Sequence, residues 1–261
     1  LLLLGNPDHY IPILDSLVVL QTDFATLLLS LTLIAWQVGY YISRRNPNRQ
    51  CITNHVFHGL AIVLALFYLY GIFLPKGRIL WLDAHEYKNV FPMAALAAYG
   101  FFRLAGLSFV HLNDETQHRL ALAFWLTLVA VIFTNMIGED YIKKIIARPR
   151  PLNSANDAWN SGIRKINDEI VRGGPSYISG HASSFFTLIG IYFWMFRSWK
   201  LRTFLFLWAA FHAYTRVYTA AHFPYCVMMG SLFGFTVPTM LYFLAIRNHQ
   251  PITTPWRSPT K

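Results

Sequence analysis

Apolar runs of bilayer length recur along this chain and leave few folds open to it. They lie at about 21–43, 55–74, 91–111, 119–142, 180–198, 203–221 and 224–246. A helix needs about 20 apolar residues to cross the hydrocarbon core. In lipid every backbone polar group must be satisfied within the segment or a closed barrel, which makes each run a helix. The pattern predicts an all-α fold, a polytopic transmembrane bundle of about six to seven spans. Composition agrees: 55% of the residues are hydrophobic and 13% charged, against about 25% charged in a soluble domain. A length of 261 residues predicts one integral-membrane domain over 1–261. Cys51 and Cys226 sit near the ends of different runs and imply no disulfide framework.

The segments between the runs are polar and short, with one exception. Residues 1–20 read as interfacial, since Asp8, Pro12 and Asp15 interrupt any span, and the opening Leu-Leu-Leu-Leu-Gly lacks the basic start of a signal peptide. Arg103 falls inside the third run, and a central arginine costs about 2.5–3.5 kcal/mol on insertion scales, so it is expected to face the bundle. Residues 75–90 read as a loop. Their His85 and Glu86 are two adjacent residues with no further ligands, too few for a metal site. The exception is 148–178. Within it Trp159, Ile163, Ile166 and Ile170 recur at helical spacing, predicting an interfacial amphipathic helix near 157–172 that packs on the bundle or covers a site.

Three polar clusters stand at the ends of apolar runs: Lys143 to Pro151, Ser179-Gly180-His181, and Arg216 to His222. Charge is expensive at a bilayer, so its gathering at helix ends asks for a ligand of opposite sign. Lys143 offers a compact charge and Arg150, between Pro149 and Pro151, a planar fork for two phosphate oxygens. Glu139 and Asp140 precede Lys143 and Lys144 by four residues, the favourable order for helical ion pairs. Ser179 is a plausible N-cap, Gly180 lets an anion approach free backbone N–H groups, and His181 can protonate a leaving oxygen. Arg216 and His222 are six residues apart, about 600° of helix, and cannot point one way from a continuous helix. Pro224 resolves this by forcing Phe223 out of helical geometry, so that the chain turns at His222. Each cluster alone is unremarkable: basic helix ends often mark topology, and Ser-Gly-His is an ordinary cap. Together they read as a phosphoryl-transfer site.

Lys-x6-Arg-Pro, Ser-Gly-His and Arg-x5-His, in this order at three helix ends, resemble the type-2 phosphatidic acid phosphatase family. That family also includes glucose-6-phosphatase and the vanadium haloperoxidases. The resemblance covers about residues 119–246, which it implies are the phosphatase core, and leaves 1–118 as N-terminal helices outside the match. It implies hydrolysis of a phosphate monoester or diphosphate without metal or other cofactor. His222 becomes the nucleophile of a phosphohistidine and His181 the acid. Lys143, Arg150, Ser179, Gly180 and Arg216 become the groups that hold the phosphoryl oxygens. Ile178 and Thr215 stand where the family usually has proline and serine. Cys226 stands where many members carry an aspartate that orients the nucleophile.

The expected substrate is a lipid phosphate, such as phosphatidic acid, a polyprenyl diphosphate or a phosphorylated lipid A, whose tail stays in the bilayer. Membrane lipids are then the partners, with no nucleic acid and no obligate protein partner. A soluble sugar phosphate is the alternative enzyme reading, and a non-enzymatic phospholipid-binding or transport protein the alternative of another class. Lysines and arginines divide equally between the two faces of the bundle. Discounting those the site requires leaves the opposite face cytoplasmic by the positive-inside rule, and the site on the extracytoplasmic face.

Overall fold

The computed structural model describes residues 12–43, 49–73, 78–79, 82–83, 89–151, 174–246 and 252. The amphipathic segment expected near 157–172 and the pair His85 and Glu86 lie outside the described residues. Helices dominate: α1 Pro12–Asp23, α2 Ala25–Ser43, α3 Arg49–Tyr70, α4 Val90–His111, α5 Asp114–Asn135, α6 Lys143–Ile146, α7 Gly180–Met195, α8 Trp199–Tyr218 and α9 Pro224–Ala245. A π-helical stretch, Met136–Ile142, joins α5 to α6. Two-residue strands β1 Arg78–Ile79 and β2 Leu82–Asp83 pair antiparallel within the expected loop.

Among the described residues, five helical runs are long and apolar enough to cross a bilayer: Ala25–Ile42, Thr53–Phe73, Val90–His111, Asp114–Ile146 and Pro224–Ala245. Their outer faces carry exposed apolar side chains such as Leu66, Leu96, Leu104, Leu232 and Leu244, as lipid contact requires. The chain is an integral membrane protein. The run Asp114–Ile146 has 33 residues, about 50 Å of helix. That exceeds the roughly 30 Å hydrocarbon core, and its last turns, with Lys143 and Lys144, can stand clear of the lipid.

The chain divides into two compact units, one of residues 23–125 and 252–261, the other of 1–22 and 126–251. In the first, α3 and α4 pack along one another, with Phe57 between Phe102 and Phe109. Gly106 makes room for it, since a Cβ there would lie 2.7 Å from that of Phe57. Trp36 of α2 donates its indole N–H to the Ala105 carbonyl at 3.1 Å. Arg103 donates to Asn54 Oδ1 at 3.3 Å, so its head turns toward α3, as the cost of a lipid-facing arginine demands. Asn113 caps α5 by accepting from the Thr116 N–H at 2.8 Å.

The second unit holds the clusters, and its centre is the close crossing of α7 and α9. Gly230 and Gly234, one turn apart, lie against the Ser179 and Ser183 backbone, and a Cβ at 230 would stand 2.6 Å from the Ser179 carbonyl. Small residues at such spacing let membrane helices approach to backbone contact. Thr187 Oγ1 bonds the Gly234 carbonyl at 3.0 Å, and Trp194 donates to Thr239 at 3.0 Å. Helix α1 also belongs here. Pro12 starts it, as proline does at a first turn, and Asp15 is fully buried, accepting from the Tyr218 hydroxyl at 2.8 Å. The segment that read as interfacial therefore contributes a packed helix.

The crossing predicts a sharp contrast among glycines. Gly234→Ala meets backbone that cannot swing aside and should cost about 1–3 kcal/mol. Gly100→Ala, in the interior of α4 with nothing within 4 Å of its Cβ, should leave stability unchanged or raise it by up to about 1 kcal/mol. Thermal unfolding in detergent reads both; equal stabilities would mean that the helices do not cross this closely.

Candidate active site

The long helix ends through its π-helical turns, a geometry that often accompanies functional sites. Glu139, within that segment, accepts from Lys143 Nζ at 2.6 Å, and Asp140 pairs with Lys144 at 3.2 Å. Both pairs have the spacing anticipated from the sequence. Ala147, at φ 45°, closes α6, and its N–H bonds the Lys143 carbonyl at 3.1 Å. From there the chain leaves the helix through Arg148 and Arg150, each of which precedes a proline, a position that disfavours helical backbone. Arg148 lies over the Phe223 ring, 4.3 Å from its centroid.

Residues 174–179 form the second wall. Gly174 turns the chain at φ 91°, and Ser176 follows, fully buried and bonded on three sides. Its N–H donates to the Arg148 carbonyl at 2.6 Å, and its hydroxyl to Cys226 Sγ at 3.5 Å. Its carbonyl accepts from His222 Nδ1 at 2.7 Å. The Ser179 N–H closes the wall by donating to the Cys226 carbonyl at 3.1 Å.

Ser179 occupies the N-cap position of α7, with φ −74° and ψ 109°, but makes no capping hydrogen bond. Its hydroxyl is buried and has no hydrogen-bond partner among the described residues. The expected cap is thus a cap in backbone geometry only, and its oxygen is left for another group. Gly180, in the first turn, lies against the Glu139 carboxylate so closely that a Cβ would overlap Oε1. His181 is exposed, and its ring lies parallel to that of His212 at 6.4 Å.

Helix α8 stops at Tyr218, earlier than the apolar run suggests. Ala220 takes φ 50°, and the Arg216 carbonyl then accepts from both the Ala221 and His222 N–H groups at 3.1 Å. Phe223 is extended at φ −71° and ψ 150°, and Pro224 opens α9. The turn before the proline brings His222 back beside Arg216, as the sequence implied. Both are buried, at 2% and 1% exposure.

Electrostatics draws the clusters together. Burial, then the positive charges of Arg216 and Arg150 and, more weakly, Lys143, push the His222 imidazole from its ordinary 6.5 down to about 2. The ring is therefore neutral. A carbonyl only accepts, so Nδ1 carries the proton toward Ser176 and Nε2 keeps its lone pair. A buried neutral imidazole with three cations near enough to act on its charge is chemically able to attack an electrophilic centre that bears negative oxygens.

Sequence reasoning missed Ser176, whose role rests on a main-chain oxygen with no side-chain signature. It also missed the place of Glu139 against Gly180, and His212, which stacks on Phe185 at 4.3 Å and bonds the Gln21 carbonyl at 3.0 Å. His212 was open to discovery, since it lies one helical turn before Arg216 on the same face. Among the described residues, no three His, Cys, Asp or Glu side chains are grouped to hold a metal.

The low His222 pKa has a consequence for folding. Unfolded, the ring gains its proton as pH falls below 6.5; folded, it stays neutral down to about 2. Acidification through that window favours the unfolded chain by up to about 1.4 kcal/mol per pH unit. His222→Asn lacks this proton, so its melting temperature should fall less steeply between about pH 6.5 and 4. Parallel slopes for the two proteins would rule out a neutral buried ring.

Comparison with known proteins converges on the same stretch. The PAP2 superfamily matches residues 119–249, half of the chain. Over 128 residues the chain is 27% identical to the lipid A 4'-phosphatase of Bacteroides thetaiotaomicron, covering 49% of this chain and 56% of that protein. It thus spans about half the length of the curated relative it matches. No solved structure matches it. The matched residues run from α5 through α9 and include all three polar clusters, and on that match the chain belongs to the PAP2 superfamily.

Proposed function

We propose that this protein is a membrane lipid phosphatase that hydrolyses a phosphate ester through a phosphohistidine on His222. The observation that carries the reading is the buried neutral imidazole, tied through Nδ1 to Ser176 and surrounded by Arg216, Arg150 and Lys143. In the first step His222 Nε2 attacks phosphorus and the bond to the leaving oxygen breaks. His181 supplies the proton that the leaving oxygen takes up. The three cations, the Ser179 hydroxyl and the N–H groups around Gly180 hold the non-bridging oxygens as charge builds on them. Water then attacks the phosphohistidine, its proton passes to His181, and phosphate leaves with His222 restored. Phosphoryl transfer of this kind rests on positioning and fixed charge, and these residues provide both without a metal.

A lipid substrate is supported by the setting, a site at the ends of membrane helices, and by the relative's name as a lipid A 4'-phosphatase. A phosphorylated glycolipid or polyprenyl phosphate fits this better than a soluble sugar phosphate. The positive-inside rule supports a site that opens on the extracytoplasmic side.

Purified protein should release phosphate from one or more members of a panel of phosphorylated lipids, and do so undiminished in EDTA. Activity restored only by divalent ions would overturn the metal-free mechanism. His222→Ala should form no phosphoenzyme. His181→Ala should lose far more activity on an alkyl phosphate than on p-nitrophenyl phosphate, whose leaving group needs little protonation; equal losses would argue against the acid role.

Cys226 is linked to the histidine through two hydrogen bonds, both made by Ser176. Loss of the carboxylate partner costs a serine protease about 10⁴-fold. Here the carbonyl does the orienting, so Cys226→Ser, which keeps an acceptor for the Ser176 hydroxyl, should change the rate by less than about tenfold. A loss as deep as that of His222→Ala on the same substrate would make the thiol itself catalytic.

A further inference from the structure

His212 is a histidine that the proposed reaction does not use. It lies on α8 one turn before Arg216 and is fully buried. Its imidazole is fixed from the side of α1: Nδ1 donates to the Gln21 main-chain carbonyl at 3.0 Å, and the Gln21 side chain accepts from Trp208 Nε1 at 3.2 Å. The ring cannot turn over without losing the first of these bonds. Its face packs on α7, where Phe185 stacks on it with centroids 4.3 Å and planes 17° apart, and Trp208 meets Phe185 edge-on at 5.2 Å. One turn before Phe185, on the same face of α7, His181 holds its ring at 18° to that of His212, with centroids 6.4 Å apart. That separation lies within the range over which aromatic rings adopt a preferred offset.

We propose that His212 is a positioning residue for the acid His181: its immobile ring is the flat surface against which the exposed imidazole is held. The inference rests on the phosphatase reading above. His181 stands exposed in the first turn of α7, where rotation about its side-chain bonds would sweep the ring through many positions. A general acid must stand about 2.6–3.2 Å from the oxygen that it protonates. A misplacement near 1 Å can cost on the order of 100-fold in rate. A wall on one side of the ring removes part of that freedom before substrate arrives.

The near-parallel planes also exclude a second role. The N–H and the lone pair of an imidazole lie in the plane of its ring, so two stacked rings cannot pass a proton to each other. His212 therefore acts through the placement of His181 and not as a relay. A phenyl ring would offer the same face, but it has no N–H for the Gln21 carbonyl and would turn about its own axis. Histidine supplies both the face and the anchor. The anchor lies in α1, outside the matched residues 119–249, so the acid depends on a part of the chain that the family match does not include.

The test uses the full chain in uncharged detergent and the variant His212→Gln, which keeps a donor for the Gln21 carbonyl and removes the ring. Rates are read on an alkyl phosphate and on p-nitrophenyl phosphate, whose leaving group needs little protonation. The variant should lose at least about tenfold more on the alkyl phosphate. Added to His181→Ala, it should lower the alkyl phosphate rate by less than about twofold further, because residues that act through one another are not additive. Equal losses on the two substrates, or full additivity in the double variant, would overturn the proposal and leave His212 as a packing residue. If His212→Gln does not fold, His212→Leu, which fills the space without a flat ring, takes its place with the same expectation. A bias absent from His181→Ala as well would remove the acid, and this role with it. Failure of the phosphatase reading looks different: the wild type would release phosphate from neither substrate.

Discussion

The close crossing of α7 and α9 is the constraint on which the site depends. Because Gly230 and Gly234 present no side chains, the Ser179 and Ser183 backbone lies directly on α9. That contact lets the Ser179 N–H reach the Cys226 carbonyl and places Ser176 beside His222. A wider crossing would leave a buried histidine, a buried serine carbonyl and a buried thiol each seeking a partner in a low-dielectric interior, where an unmade hydrogen bond is costly. Helix packing and the orientation of the His222 ring are thus one problem with one solution.

Cys226 stands where the resemblance leads one to expect an aspartate, and the His222 ring finds another acceptor in the Ser176 carbonyl. A carboxylate near a catalytic imidazole holds the ring and stabilises its positive charge. The Ser176 carbonyl holds the ring as well, but as a neutral dipole it offsets less charge. Burial and the nearby cations dominate, and the ring stays neutral. What a neutral acceptor gives up in basicity it retains in geometry, since Nδ1 remains the protonated nitrogen and Nε2 the free one.

The N-terminal helix shows that the site's support reaches beyond the matched stretch. Asp15 and Gln21 of α1 bond Tyr218 and His212, two residues that flank Arg216 on α8. Residues 1–118 read as lying outside the resemblance, and 12–22 nonetheless brace the helix that carries Arg216. Asp15 disguised this in the sequence. A charge in a short apolar run signals an interface unless something across the fold satisfies it, and the Tyr218 hydroxyl does so.

Local rules reached far into this protein. Pro224 marked both the start of α9 and the turn at His222, because its missing N–H and fixed φ act only on near neighbours. The run 91–111 became Val90–His111, since bilayer length and apolar content alone specify a span. The ion pairs of Glu139 and Asp140 followed from helical spacing. The three clusters were legible only together, because each alone is an ordinary helix end and their combination asks for an anionic ligand. The break at Phe24, the early end of α8 and the cap that makes no bond were not legible. The acceptor for His222 lies 46 residues away, and the neighbour of Gly180 lies on another helix. Sequence determined which segments are helices and which chemical groups stand at their ends, for these depend on interactions within a few residues. Only the tertiary structure decided which carbonyl accepts from His222 and which carboxylate lies against Gly180, because those depend on how closely separate backbones approach.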